Sequence, residues 1–194
     1  MIFNKSELNQ YKKYMKDKCI IVDGPDCTGK TTICEKLSEI YNIPIYHLTY
    51  YNDYERHCAQ FEKAHNMIDD WAYSNGPGFI LDRYIMSETA YANVYRPNQP
   101  YIRDIDSYYK ILSGQLRLTS LELIFCLPYD KDKWLEAFKK AEQEREEMYT
   151  SEKISYVYDE YNKLWQMMRY NNNVWRYDMF ENIEGRNKNL KIQL

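Results

Sequence analysis

Short apolar runs alternate with segments of helical period along most of this chain. Between the runs, apolar residues recur every three or four positions, which predicts amphipathic helices. Strands that alternate with helices predict a parallel sheet covered on both faces. We therefore expect an α/β fold, with a parallel five-stranded sheet flanked by helices. The predicted strands are 19–23, 43–48, 79–81, 121–127 and 174–178, and the predicted helices are 31–41, 61–72, 87–95, 105–116, 132–141 and 154–168.

A chain of 194 residues is most simply one domain with a sizeable core. No internal repeat, low-complexity tract or linker in the sequence would divide it. We expect an N-terminal extension at 1–18 and a single domain at 19–194. Apolar residues in the extension have loose helical spacing, which predicts a short amphipathic helix there.

Composition narrows the class of ligand. The formal net charge is −3 and the pI is near 5.7, so small anionic ligands suit the chain better than a nucleic-acid backbone does. The five cysteines are an odd number without CxxC spacing, which indicates neither a disulfide framework nor a zinc site. No apolar run approaches membrane-spanning length. These features predict a cytoplasmic protein that binds small molecules and has no membrane or nucleic-acid partner.

The phosphate-loop pattern GxxxxGK[ST] occupies the junction between the first strand and the first helix. Its defining positions are Gly24, Gly29, Lys30 and Thr31. In this context the glycines turn backbone N–H groups toward a phosphate chain, the lysine reaches the β- and γ-phosphates, and the hydroxyl ligates Mg²⁺. A plain glycine turn would explain neither the lysine nor the hydroxyl. The pattern therefore predicts a site for a nucleoside triphosphate.

Asp82 and Arg83 follow the third predicted strand directly. Ligands of open parallel sheets bind at the carboxyl ends of the strands. We therefore expect this pair to face the same cleft as the phosphate loop. The alternative is an ion pair with a purely structural role.

Three stretches together resemble the thymidylate kinases and their relatives, the deoxynucleoside kinases. They are GPDCTGKTT at 24–32, LDRY at 81–84 followed by SETAY at 87–91, and the charged segment at 139–147. The resemblance implies a P-loop kinase fold with a short mobile lid, here at about 139–150. It also implies transfer of the γ-phosphoryl group of ATP to a nucleotide, with Mg²⁺. Members of this family are often dimers, so a homodimer is implied as well.

The family's roles carry over to the loop and to the end of the third strand. Matching positions imply catalytic roles for Lys30, Asp82 and Arg83, Mg²⁺ ligation by Thr31 and Asp82, and a place for Asp26 near the sugar 3′-hydroxyl. An aspartate that only forms the turn is the alternative for Asp26. The residues implied to hold the ATP phosphates are Gly24, Cys27, Thr28, Gly29, Lys30, Thr31 and Thr32.

One branch of the family has a catalytic arginine at the loop position that Cys27 occupies here. The positive charge must then come from the lid. Arg145 is our candidate for this catalytic role, with Lys139 and Lys140 in reserve. Because glutamates are interspersed among these basic residues, the alternative is a solvated helix face with salt bridges.

The acceptor side departs from the family. Glu62 stands where thymidylate kinases carry an arginine that meets the base, whereas Gln60 is able to pair with a base edge and Phe61 to stack on one. Arg56 is a candidate clamp for the acceptor phosphate. The alternatives are a core position for Phe61 and a solvent-facing charge for Arg56. The candidate acceptor-binding residues are Asp26, Arg56, Gln60, Phe61, Arg83, Tyr84, Ser87 and Tyr91.

The leading hypothesis is ATP-dependent phosphorylation of a deoxynucleoside monophosphate, with dTMP or a related pyrimidine nucleotide as the acceptor. A deoxynucleoside kinase is the closest rival, but it needs a carboxylate base and typically has ERS where this chain has DRY at 82–84. A non-catalytic nucleotide-binding protein is the third hypothesis, although it would not require the second motif. We assign no chemistry to His47, His57 and His65, which show no metal or triad pattern.

Overall fold

A computed structural model gives the fold of this chain and describes residues 18–74, 76–98, 105–118, 121–142, 151–180 and 182–185. The predicted helix in 1–17 lies outside these residues, as do residues 143–150 of the predicted lid, Arg145 among them. Within the described part, every helix is too short or too polar to cross a bilayer.

The strands form one sheet within the described residues. They are β1 Cys19–Asp23, β2 Ile45–His47, β3 Phe79–Asp82, β4 Glu122–Cys126, β5 Val174–Asp178 and β6 Asn182–Gly185. Their order is β2-β3-β1-β4-β5-β6. The first five strands are parallel, as the sequence predicts, and β6 pairs antiparallel with β5 at the edge. The sequence analysis missed β6 because this strand is too short and polar to form an apolar run.

Helices connect the parallel strands. Those in the described residues are α1 Lys30–Tyr41, α2 Tyr54–Ser74, α3 Ile85–Tyr95, α4 Ile105–Leu118, α5 Lys131–Glu142 and α6 Ser151–Met168. Helix α2 begins at Tyr54 rather than at residue 61, because Asp53 caps its first turn. The Asp53 carboxylate accepts a hydrogen bond of 2.8 Å from the Arg56 N–H.

The sheet is buried on both faces, as a parallel sheet requires. Successive side chains of β1 point to opposite sides. Ile20 and Val22 join a smaller core beneath α1, whereas Cys19 and Ile21 join a larger core shared with the other helices. These four side chains are almost completely buried.

The strand register brings three carboxyl ends to the same edge. Val22 pairs with Asp82 of β3, and Asp82 pairs in turn with His47 of β2. The loop that follows β1 therefore starts beside Asp82 and close to His47. This is the edge where ligands of open parallel sheets bind.

Candidate active site

The phosphate loop leaves β1 at Gly24 and enters α1 at Lys30. A Cβ atom on Gly24 would lie 2.2 Å from the carbonyl oxygen of Cys126, so close packing against β4 requires a glycine here. Gly29 has a φ of 80°, in the left-handed region that glycine adopts at little cost. Gly24 thus allows the loop to pack closely against β4, whereas Gly29 allows the backbone to turn into α1.

The N-terminus of α1 is open to an anion. No side chain of the described residues caps it, so the helix dipole and the first-turn N–H groups are available to phosphate oxygens. Thr31 and Thr32 are exposed on this turn. The Thr28 hydroxyl instead donates a hydrogen bond of 2.8 Å to the Pro25 carbonyl, inside the loop.

Lys30 is held within the loop, with only 6% of its surface exposed. Its ammonium group donates a hydrogen bond to the Pro25 carbonyl and lies 3.9 Å from Asp26 Oδ1. Burial lowers the pKa of Lys30, and the nearby Arg83 charge lowers it further. An ammonium group has three rotatable donors, so Lys30 is able to turn toward a phosphate while its stem stays packed.

Asp26 is fixed by contacts from three elements. The Arg83 guanidinium donates to Oδ1, and the Tyr91 hydroxyl donates to Oδ2 at 2.8 Å. The Asp26 carbonyl accepts a hydrogen bond of 3.0 Å from Trp134 Nε1 of α5. Burial opposes ionisation of Asp26, but the Arg83 and Lys30 charges outweigh it and lower the pKa of this carboxyl. Asp26 is therefore an oriented, ionised carboxylate at the edge of the cleft.

Arg83 reaches the loop through a strained backbone. Its φ of 77° lies in the left-handed region, which is uncommon for residues other than glycine. The Arg83 N–H donates a hydrogen bond of 2.9 Å to the Val22 carbonyl, so β1 holds this conformation in place. Such strain occurs mainly at functional sites, where the surrounding structure compensates for it.

Asp82 has one carboxylate oxygen in use and one unsatisfied. Oδ2 lies 2.8 Å from His47 Nδ1, whereas the buried Oδ1 has no hydrogen-bond partner among the described residues. An unsatisfied buried carboxylate oxygen fits a site for a cation or an ordered water. No three acidic, histidine or cysteine side chains of the described part form a metal site by themselves.

A cavity of about 540 Å³ opens beside the Asp26–Arg83 pair. This volume lies in the usual range of small-molecule sites. Five of the predicted acceptor-binding residues line it: Asp26, Phe61, Arg83, Ser87 and Tyr91. The rest of its wall consists of His47, Leu48, Thr49, Tyr50, His57, Asp82, Glu88, Tyr95 and Arg96.

A buried ionic cluster forms one part of the cavity wall. Glu88 Oε2 lies 2.9 Å from His57 Nε2 and accepts a hydrogen bond of 2.8 Å from Arg96. Burial raises the pKa of Glu88, but the hydrogen bonds from His57 and Arg96 outweigh it and lower this pKa. The sequence analysis assigned no chemistry to His57, which shows no metal or triad pattern, and its partner Glu88 lies on a different helix. The one sequence signal was the position of Glu88 within the SETAY stretch.

A second buried cluster, which we call the Asp23 node, consists of Asp23, Ser87 and Tyr161. The Asp23 carboxylate accepts hydrogen bonds from the Ser87 and Tyr161 hydroxyls. It also accepts backbone hydrogen bonds from Gly24, Tyr84 and Ser87. The sequence analysis treated Asp23 only as the end of a strand, and nothing in the local pattern signals its distant partner on α6.

Three predicted acceptor-binding residues lie away from the cavity wall. Arg56 is exposed, with its guanidinium 3.9 Å from the centre of the Tyr51 ring. The Gln60 side chain bonds both the N–H and the carbonyl of Thr49. Tyr84 is buried, and its hydroxyl lies 2.9 Å from Nδ1 of a histidine, His65. Contacts of these three side chains with a ligand stay predictions.

No protein-family model and no curated protein matches this chain. Among solved structures, it is similar to the YorR protein from Bacillus subtilis in complex with phosphorylated GDP. That similarity has a TM-score of 0.59 and 18% identity, and it covers 84% of this chain and 86% of YorR. A deoxyadenosine kinase from M. mycoides with bound dATP has a TM-score of 0.49 and 15% identity, with 83% and 90% of the chains covered. A thymidylate kinase from Ehrlichia chaffeensis has a TM-score of 0.31 and 18% identity, with 76% and 98% covered.

The chain has an α/β P-loop kinase fold. The five parallel strands, the loop between β1 and α1 and the likeness to YorR together confirm this predicted fold class. At 18% identity the likeness to YorR shows the fold alone.

Proposed function

We propose that this protein catalyses ATP-dependent phosphorylation of a deoxynucleoside monophosphate, with dTMP or a related pyrimidine nucleotide as the acceptor. The position of Asp26 and Arg83 carries this proposal. Asp26 belongs to the phosphate loop, Arg83 follows β3, and both line the cavity. An acceptor in the cavity would therefore lie next to a donor held by the loop. Phosphoryl transfer depends on this positioning and on charge neutralisation more than on covalent chemistry.

The donor side supplies a positive field for ATP. The N-terminus of α1 and the Lys30 ammonium provide donors for the phosphate oxygens. Thr31 and Asp82 would hold Mg²⁺, and the unsatisfied Oδ1 of Asp82 supports this assignment. When bound, Mg²⁺ neutralises negative charge on the donor phosphates.

The acceptor side combines charge with aromatic surface. Arg83 places a cation beside the loop, and Phe61, Tyr91 and Tyr95 offer ring faces or edges to a base. A monophosphate needs no general base, because its second pKa is about 6 and an oxygen is already ionised near neutral pH. We propose that Arg145 adds positive charge from the lid, where it would stabilise the transferring group.

A deoxynucleoside kinase is the second candidate, and the charge of the cavity wall favours it. The wall contains the carboxylates Asp26, Asp82 and Glu88, and each of its two arginines donates to one of them. Like charges repel, so a neutral nucleoside would meet less electrostatic resistance here than a dianionic monophosphate. A hydroxyl acceptor would require a general base, which a wall carboxylate is able to supply.

Release of ADP, coupled to a spectroscopic signal, tests both candidates. Each natural deoxynucleoside and each deoxynucleoside 5′-monophosphate is offered with ATP and Mg²⁺, and the product is identified by mass spectrometry. We expect the highest kcat/KM with dTMP or another pyrimidine monophosphate. Turnover with nucleosides only would replace the first candidate by the second. Turnover without an acceptor, or with none of the acceptors, would contradict a kinase of either kind.

A further inference from the structure

The Asp23 node connects three elements that a phosphoryl-transfer enzyme must hold in one arrangement. Asp23 ends β1, Ser87 lies in the first turn of α3, and Tyr161 lies within α6. Their exposed fractions are 0%, 7% and 0%, respectively. The node is therefore largely shielded from solvent, and of its three side chains only Ser87 lines the cavity.

One carboxylate oxygen of the node faces the phosphate loop. Asp23 Oδ1 accepts hydrogen bonds of 2.8 Å from the Gly24 N–H and 2.8 Å from the Tyr161 hydroxyl. The Ser87 hydroxyl donates to the same oxygen and lies 2.8 Å from the Tyr161 oxygen. Gly24 is the first residue of the loop, so a single oxygen links the loop to α6.

The other carboxylate oxygen faces the turn that carries Arg83. Asp23 Oδ2 accepts hydrogen bonds of 2.8 Å from the Tyr84 N–H and 3.2 Å from the Ser87 N–H. These amides flank the step from β3 into α3. The carboxylate thus sets where this turn lies relative to the loop, and with it the position of the Arg83 backbone.

Stability alone is a weak explanation for a buried carboxylate at this point. Burial raises the pKa of Asp23, and the hydrogen bonds from Ser87, Tyr161 and Tyr84 oppose that rise. Well-packed apolar side chains often replace buried ionic groups without loss of stability. The carboxylate accepts hydrogen bonds from two separate backbone segments, and this positioning role explains its presence better than a contribution to stability does.

We propose that the Asp23 node is a positioning device for phosphoryl transfer, in which Tyr161 holds the Asp23 carboxylate so that the phosphate loop and the Arg83 turn keep one relative placement. This proposal rests on the proposed function. Asp23 and Tyr161 act through Gly24 and the 84–87 turn. A misplacement of about 1 Å in such a site lowers the rate by about a hundredfold.

Tyr161→Phe tests the proposal, because it removes one hydroxyl and leaves the buried ring. Tyr158→Phe is the matched control: its hydroxyl lies on the same helix, is also buried, and donates to the Pro128 carbonyl away from the loop. Arg176 still donates to that carbonyl at 2.8 Å, so the control leaves no acceptor unsatisfied. We expect Tyr161→Phe to lower kcat about tenfold, with less than about a threefold change in either KM. Asp23→Asn, which keeps one acceptor oxygen, should lower kcat further, and Tyr158→Phe should leave kcat within about twofold of the wild type.

Hydrogen exchange provides a second readout that needs no turnover. We expect the amides of Tyr84 and Ser87 to exchange faster in Tyr161→Phe than in Tyr158→Phe or the wild type. Equal kcat values for the two phenylalanine variants, or an effect confined to KM, would overturn the proposal. If the wild type phosphorylates no acceptor, the proposed function fails, and the exchange rates then decide whether the node positions this turn. Equal exchange in both variants would overturn that as well.

Discussion

Arg83 donates a hydrogen bond to Asp26 across the boundary between the β3 turn and the phosphate loop. The two residues are 57 positions apart in sequence, and they meet because β1 and β3 are neighbours in the sheet. The pair therefore joins the phosphate loop to the wall of the cavity. A functional coupling of this kind is measurable.

We expect Asp26→Asn and Arg83→Met to be non-additive. Each single change should lower kcat/KM by about tenfold to a hundredfold, and the double variant should lose little more than Arg83→Met alone. The reason is that either change removes the same Asp26–Arg83 ion pair. Arg169→Met, which removes an exposed arginine at the end of α6, is the control and should leave kcat/KM unchanged. Strictly additive losses would show that the two side chains act independently.

Lys30→Met should abolish measurable turnover and leave the thermal unfolding midpoint close to the wild-type value. The methionine keeps most of the buried stem but lacks the ammonium group that would meet the donor phosphates. Lys36→Met removes an exposed lysine from the same helix and should retain full activity. Appreciable turnover in Lys30→Met would contradict the proposed phosphate cradle.

Asp82→Asn should weaken the effect of Mg²⁺ on nucleotide binding. With a fluorescent ATP analogue, we expect Mg²⁺ to tighten binding to the wild type more than to the variant, with a difference of about tenfold. The buried, unsatisfied Oδ1 of Asp82 is the reason for this expectation. Binding is measured by titration with Mg²⁺ and then with EDTA. An identical Mg²⁺ dependence in both proteins would remove Asp82 from the metal site.

Glu88→Gln should reduce the loss of folding stability that occurs as the pH falls below neutrality. The pKa of Glu88 is lowered from an ordinary value of 4.5, against the effect of burial, by the hydrogen bonds from His57 and Arg96. A carboxyl with a lowered pKa stabilises the folded state fully above about pH 4.5, and this contribution disappears as the pH falls through the folded-state value. The free energy of unfolding of the variant should be lower by about 3 kcal/mol near neutral pH, because the Arg96 charge stays buried but loses the carboxylate that neutralises it.

Urea unfolding of the wild type and of Glu88→Gln at about pH 7 and about pH 4 measures this effect. The wild type should lose more stability between the two pH values than the variant does. Glu62→Gln, at an exposed position on α2, should behave like the wild type. An equal loss in all three proteins would show that other carboxyl groups, such as Asp26, cause the loss of stability at low pH.

Arg145→Ala should lower kcat by about a hundredfold and change the acceptor KM much less. An arginine that meets the transferring group only in the transition state affects the chemical step rather than ground-state binding. Lys139→Ala and Lys140→Ala are the comparison variants, because both lysines are exposed on α5. A loss of kcat in a lysine variant, with Arg145→Ala unaffected, would move the proposed role to that lysine.

Local sequence patterns predicted the elements that form the site. The five parallel strands follow from their apolar runs, and the loop between β1 and α1 follows from its glycine and lysine spacing. Local sequence features also explain two places where the predicted elements differ from the structure, namely the start of α2 and strand β6. Asp53 starts α2 earlier than its apolar residues do, and a four-residue edge strand with few apolar residues leaves no periodic signal.

The sequence by itself determined where the motifs of the candidate site lie: a glycine-rich loop between the first strand and the first helix, and an aspartate and an arginine at the end of a parallel strand. These features follow from spacing within a few residues, where backbone geometry is local. Only the tertiary structure decided which side chains surround the cavity. The Glu88–His57 and Asp23–Tyr161 contacts join residues 31 and 138 positions apart, and such pairs form only when helices pack on the sheet. Contacts between residues so far apart depend on how the whole core packs, and they leave no repeating pattern in any short stretch of the sequence.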